Sequence, residues 1–275
     1  MKTDSLGLKF FNPEEVFKLN PEMSINLIKL ESGINVIQIN DFYLNPELVK
    51  ELILNTPVAS NTPALPSGFA GYRIWSDLTI QDLDIFPTLT AIVKSAIDIP
   101  DDIISEEEYL TTKNRSLVAN IYTGEPNTTN THRKHYPHWD VWLYTALIHF
   151  TENPGCGTAL FKHKKSGLTH VPTIDAQAVL AARELNTTPE AVKELAEANY
   201  AELDSKMLNE SSENYILEES ADYEVIYRTE GAYNQLTLFP GSVLHSQIVN
   251  YDYLKENNTA RINQVMFLNP IKRKF

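Results

Sequence analysis

Residues 235–249 read Gln235-Leu-Thr-Leu-Phe-Pro240-Gly241-Ser-Val-Leu-His245-Ser-Gln-Ile-Val249. Two β-prone runs, 235–239 and 242–249, flank a Pro-Gly pair, and that dipeptide marks a turn. The stretch is a strand, a tight turn and a second strand that carries His245. Similar short runs recur at 116–122, 141–150, 158–162, 223–228 and 261–268. Many short strands punctuated by Gly, Pro and Asn predict a sandwich or barrel.

The chain before residue 116 has another character. Residues 34–40 form one β-branched strand. Asn45-Pro46-Glu47 opens an amphipathic helix through Leu54, with Asn45 as cap and Pro46 at the first helical position. Residues 84–96 are a weaker helix. Residues 1–25 read as an irregular arm, and 55–72, with Pro63, Pro66, Gly68 and Gly71, as a loop. One helical insertion, 173–212, interrupts the strands. Its helix starts at Thr187-Thr188-Pro189-Glu190. Val192, Leu195, Ala196, Leu203 and Met207 fall on one face, with Asn199 the polar exception. The insertion is a packed decoration, an oligomer contact or a lid. The expected division is 1–115, an arm, strand and supporting helices, and 116–275, the β core, together one structural unit.

The 275 residues carry 23 Lys and Arg against 36 Asp and Glu, a net charge of −13, and 43% are hydrophobic. That excludes wholesale disorder and disfavours a nucleic-acid backbone as partner. Cys156 is the one cysteine. An internal disulfide and a Cys-based zinc cluster are thereby excluded, and a reducing, cytoplasmic compartment is expected. The longest apolar run, about 141–150, falls short of the roughly 20 residues of a membrane span. The first eleven residues show no secretory signal.

Chemistry concentrates in His132-Arg-Lys-His135-Tyr-Pro137-His138-Trp-Asp140. Pro137 forbids a regular helix there. In extended chain, residues i and i+2 share a face, so His138 and Asp140 point together. His245 is the candidate third ligand. Two histidines and a carboxylate on one face of a metal form the facial triad typical of non-haem Fe(II) oxygenases. His132 and His135 are read as loop or rim residues.

The order of segments resembles the 2-oxoglutarate/Fe(II)-dependent dioxygenases, in particular their prolyl-4-hydroxylase-like branch. Ala119-Asn-Ile-Tyr122-Thr-Gly124 followed by His138-Trp-Asp140 is similar to that branch's Tyr, Gly, His-x-Asp run. Glu152-Asn-Pro-Gly155-Cys-Gly157-Thr158-Ala-Leu-Phe161 resembles its Gly-Gly-x-Thr-x-Phe turn and strand, with Cys156 between the glycines. Leu236 to His245 resembles the strand leading to the distal histidine, and Arg261 to Leu268 the closing strand. The similarity covers about 116–268. Asp41-Phe-Tyr-Leu-Asn-Pro46-Glu47 is also similar to the opening helix of a bacterial branch of the superfamily.

The resemblance implies a fold that is mainly β with flanking helices (α+β), a double-stranded β-helix or jelly roll. It implies hydroxylation of an unactivated C–H bond in a small molecule, amino acid or peptide-bound residue. Fe(II), 2-oxoglutarate and O2 are the implied cofactors. His138, Asp140 and His245 would hold the metal. Arg261 would hold the far carboxylate of 2-oxoglutarate, with Tyr122, Thr158 and Asn263 beside it. The 16-residue gap from His245 to Arg261 exceeds that of most relatives, so 251–259 must bulge out. The alternatives are a non-oxidative cupin-like metal enzyme and a catalytically silent binding module of the same fold. The expected partner is a small-molecule or peptide substrate, with no membrane and no nucleic acid, and a homodimer is allowed.

Overall fold

The computed structural model describes residues 12–56, 72–75, 85–97, 118–123, 137–209 and 220–268. His132, His135 and most of the 55–72 loop lie outside the described residues. In chain order the elements are α1 (Pro13–Val16), β1 (Ser24–Lys29), β2 (Asn35–Asn40), α2 (Pro46–Asn55), β3 (Tyr72–Trp75), α3 (Ile85–Ile97) and β4 (Val118–Thr123). Then come β5 (Tyr144–His149), β6 (Gly157–His163), α4 (Asp175–Glu184), α5 (Pro189–Asn209), β7 (Tyr223–Arg228), β8 (Leu236–Pro240), β9 (His245–Ile248), α6 (Tyr251–Glu256) and β10 (Ala260–Leu268).

The strands form two antiparallel sheets, a larger one in the order β1-β2-β8-β5-β10-β4-β3 and a smaller one in the order β7-β6-β9. The architecture is mixed α+β and sandwich-like. Alternation along the strands sorts the side chains into layers. Ile37 and Ile39 of β2, Ala146 and Ile148 of β5, Leu236 and Leu238 of β8, and Ile262 and Met266 of β10 meet the helices α2 and α3 in the main core. The intervening residues Val36, Leu147, Phe239 and Val265 point the other way and meet Leu160 of the smaller sheet. Arg261 and Asn263 share the parity of Val265, and His149 that of Leu147. These polar groups therefore project into the space between the sheets.

The insertion covers the outer face of the smaller sheet, where Ala196 and Leu203 of α5 pack with Ala159, Phe161 and Ile248. Thr188 caps α5, its hydroxyl accepting from the Ala191 amide at 3.2 Å. Val192, Ala196 and Leu203 are buried as the spacing predicts. Leu195 is a correction to that face, being 42% exposed. The inward row steps by four from Val192 to Ala196 and leaves Leu195 turned to solvent. A buried pair fastens α4 to the larger sheet. The Glu184 carboxylate accepts from the backbone and side-chain amides of Asn35, at 3.0 and 3.1 Å, and lies 3.1 Å from His170 Nε2.

Three local expectations are corrected. The arm contains the turn of helix α1, capped by Asn12, and the start of β1. Strand β1 lies at the sheet edge with its side chains mostly exposed, so it lacks the alternation that marks a half-buried strand. The loop after β9 carries the helix α6, capped by Asn250. Asn45 precedes α2 but makes no side-chain capping bond. Among the described residues, no helix is long and apolar enough to cross a membrane.

Candidate metal centre

Each ligand of the expected triad is positioned by backbone pairing. His138 and His245 form an isolated antiparallel bridge, with reciprocal N–H···O bonds of 2.9 and 2.7 Å. Two residues on, the Asp140 amide donates to the Gly241 carbonyl at 2.7 Å. The His-x-Asp run is thus an extended segment held by an isolated bridge against the Pro-Gly turn and the start of β9, and Pro137 permits that geometry. The close approach requires glycine. A Cβ at residue 241 would lie 2.0 Å from the Trp142 carbonyl oxygen and 3.4 Å from Asp140 Cβ. Gly241→Ala is expected to destabilise the protein by about 1–3 kcal/mol and to weaken metal binding, measured by denaturant unfolding and metal titration.

One ligand atom from each of His138, Asp140 and His245 lies within 4.8 Å of the others. His245 Nδ1 is 2.8 Å from the Val243 carbonyl. A carbonyl only accepts, so Nδ1 carries a proton, and Nε2 is the nitrogen that would face a metal. That Nε2 is 3.4 Å from Asp140 Oδ2. The Thr145 hydroxyl donates to the same oxygen at 2.5 Å. Burial pushes the Asp140 carboxyl up, but the imidazoles of His245 and His138 and the Thr145 hydroxyl outweigh it and hold it at about 2. The carboxylate is ionised at neutral pH and lies beside two nitrogen donors, a set suited to a divalent transition metal.

The residues expected to hold a co-substrate gather between the sheets, away from the triad. Arg261 is 1% exposed. Its Nη1 donates to Asn263 Oδ1 at 3.0 Å and its Nη2 to the Gly157 carbonyl at 2.9 Å, while Nε has no partner. Among the described residues no carboxylate pairs with it. Tyr122, opposite Arg261 in the β4–β10 register, meets the guanidinium with its ring, 4.8 Å from the ring centre. Asn263 therefore orients Arg261. Thr158 is buried, and its hydroxyl lacks a partner.

Sequence reasoning missed His149, Gln247, Thr145 and Gln177. His149 faces Asn263 in the β5–β10 register, and Gln247 faces Thr158 in the β6–β9 register. Burial, and next to it the charge of Arg261, drive the His149 imidazole well below its usual range, so it is neutral. His149 Nε2 and Gln247 Nε2 lack partners. No motif marks these residues; only their parity with Arg261 on known strands could have found them. Buried polar atoms in folded proteins nearly always find partners. Three orphans, on Thr158, His149 and Gln247, beside a buried guanidinium that has no carboxylate partner among the described residues fit a polar, anionic ligand.

Two strands measure the separation. Thr145, bonded to Asp140, and His149, beside Arg261, are four residues apart on β5, about 13 Å at strand rise. Leu160, opposite His245, and Gly157, bonded to Arg261, are three apart on β6, about 10 Å.

These features define a sandwich-like α+β protein with a His-Asp-His candidate metal site. The chain belongs to DUF6445, a family of unknown function, whose pattern matches residues 21–268. No curated protein matches the chain.

Proposed function

We propose that the protein is an Fe(II)- and 2-oxoglutarate-dependent oxygenase, built on a double-stranded β-helix, that hydroxylates an unactivated C–H bond of a small molecule, amino acid or peptide-bound residue. The observation that carries the reading is the pairing of a His-Asp-His triad with a buried arginine that has no carboxylate partner among the described residues. The jelly-roll assignment rests on the path of the chain, which crosses between the two sheets at β5–β6, β7–β8, β8–β9 and β9–β10, with β6 and β7 paired in the smaller sheet.

His138, Asp140 and His245 would hold the metal. Once bound, Fe(II) supplies the oxidation of the C–H bond by O2, coupled to conversion of 2-oxoglutarate into succinate and CO2. Arg261, oriented by Asn263 and backed by the Tyr122 ring, gives the far carboxylate a charge-assisted donor. His149 and the Thr158 hydroxyl, both with spare hydrogen-bonding capacity, would flank that carboxylate. The roughly 10–13 Å of strand between the residues next to the triad and those next to the guanidinium is on the scale of a metal-bound short dicarboxylate and its hydrogen bonds. The net charge of −13 sets the substrate apart from nucleic acids.

The test is succinate release with Fe(II), 2-oxoglutarate, O2 and a library of amino acids, peptides and small metabolites. The expected result is succinate formed one-to-one with a hydroxylated product. Metal binding with no 2-oxoglutarate turnover across the library would favour a non-oxidative cupin-like enzyme.

A further inference from the structure

The turn that follows Asp140 is irregular, and irregular backbone needs explicit hydrogen-bond partners when it is buried. The β framework supplies the His138–His245 bridge, the Asp140 amide on the Gly241 carbonyl and the Gly241 amide on the Leu143 carbonyl. The Asp140 and Trp142 carbonyls are held from the insertion. Gln177, in the first turn of α4, is 1% exposed. Its Nε2 donates to the carbonyls of Asp140 at 2.9 Å and Trp142 at 2.7 Å. Its Oε1 accepts from the Thr173 amide at 2.7 Å and from the Thr173 hydroxyl at 3.0 Å. The Thr173 amide can only donate, so the orientation of the Gln177 amide is fixed and its two hydrogens face the ligand turn. A second contact, between Trp139 and Tyr200 of α5 at 5.5 Å, ties the same segment to the insertion.

We propose that Gln177 is a positioning residue of the metal centre, which holds the Asp140 carboxylate in place by bracketing its backbone through the carbonyls of Asp140 and Trp142. The proposal rests on the metal-binding reading of His138, Asp140 and His245. Gln177 itself never touches the metal. It sets the direction in which the Asp140 side chain leaves the backbone, and outer residues of this kind typically change metal affinity by 10- to 100-fold.

The test uses Co(II), whose visible spectrum reports ligand geometry, titrated into the full chain. Gln177→Met keeps the side chain's length and removes both donors. Co(II) affinity should fall tenfold or more, and the spectrum of the loaded protein should change. Gln177→Asn, which keeps the amide on a shorter arm, serves the same purpose if the methionine variant does not fold. Glu184→Gln is the control. It loosens α4 at the His170 and Asn35 end, should lower the melting temperature, and should leave the Co(II) spectrum as in the wild type. Wild-type affinity and spectrum in a folded Gln177 variant would overturn the proposal and leave the metal site standing. A spectrum that shifts equally in Glu184→Gln would reduce Gln177 to a general prop for the insertion and overturn it too. Failure of the wild type to bind Co(II) or Fe(II) would overturn the metal reading, and this proposal with it.

Discussion

His245→Ala is expected to bind Fe(II) at least about a hundredfold more weakly than the wild type, since loss of a ligand should cost no less than loss of an outer residue that orients one. The fold should survive the change. His245 pairs with His138 and with Leu160 through its backbone, and an alanine keeps those bonds. What disappears is Nε2, held toward Asp140 by the bond from Nδ1 to the Val243 carbonyl. His138→Ala should behave alike. Titration of Fe(II) under anaerobic conditions, with unfolding measured in parallel, separates lost ligation from lost structure. Unchanged affinity in both variants would remove the triad as the metal site.

The second large effect concerns Arg261. Its guanidinium is buried without a counter-charge among the described residues, and an uncompensated buried charge is costly. Arg261→Met should weaken 2-oxoglutarate binding tenfold or more, because charge-assisted hydrogen bonds contribute about 1.5–3 kcal/mol. It should leave metal affinity intact, since Arg261 and the triad stand apart. A second readout follows from mass action. At 100-fold its Kd, a ligand stabilises the native state by about 2.7 kcal/mol. The metal-loaded wild type should gain that stability from 2-oxoglutarate, and metal-loaded Arg261→Met should not at the same concentration. Equal gains would mean that another basic residue holds the carboxylate, with Arg228 and Lys162 the first to try.

The β core was legible in the sequence because buried strands are written in contiguous apolar runs. Residues 144–149 and 236–240 needed nothing more than their β-branched and aromatic content and the Pro-Gly turn. The His-x-Asp pair was legible because Pro137 removed the helical alternative. Strand β1 was not, since an exposed edge strand carries no burial alternation. Short helices such as α1 and α6 hold too few residues for a helical period, and only their Asn caps mark them. Gln177 and His149 were illegible for a deeper reason. Their roles arise from residues 37 and 112 positions away along the chain, Asp140 and Arg261, brought close by the pairing of sheets and the docking of the insertion. Nothing in the local sequence distinguishes them from other buried polar residues.

The central claim is that one metal and one 2-oxoglutarate bind together between the sheets, the metal on the triad and the far carboxylate on Arg261. Anaerobic calorimetry of 2-oxoglutarate into the protein, with and without saturating Fe(II), tests it most directly. The account predicts one 2-oxoglutarate per chain, bound tightly with Fe(II), much more weakly without it, and weakly again in Fe(II)-loaded Arg261→Met. Absence of 2-oxoglutarate binding to the Fe(II)-loaded wild type, or binding indifferent to both the metal and Arg261, would contradict it.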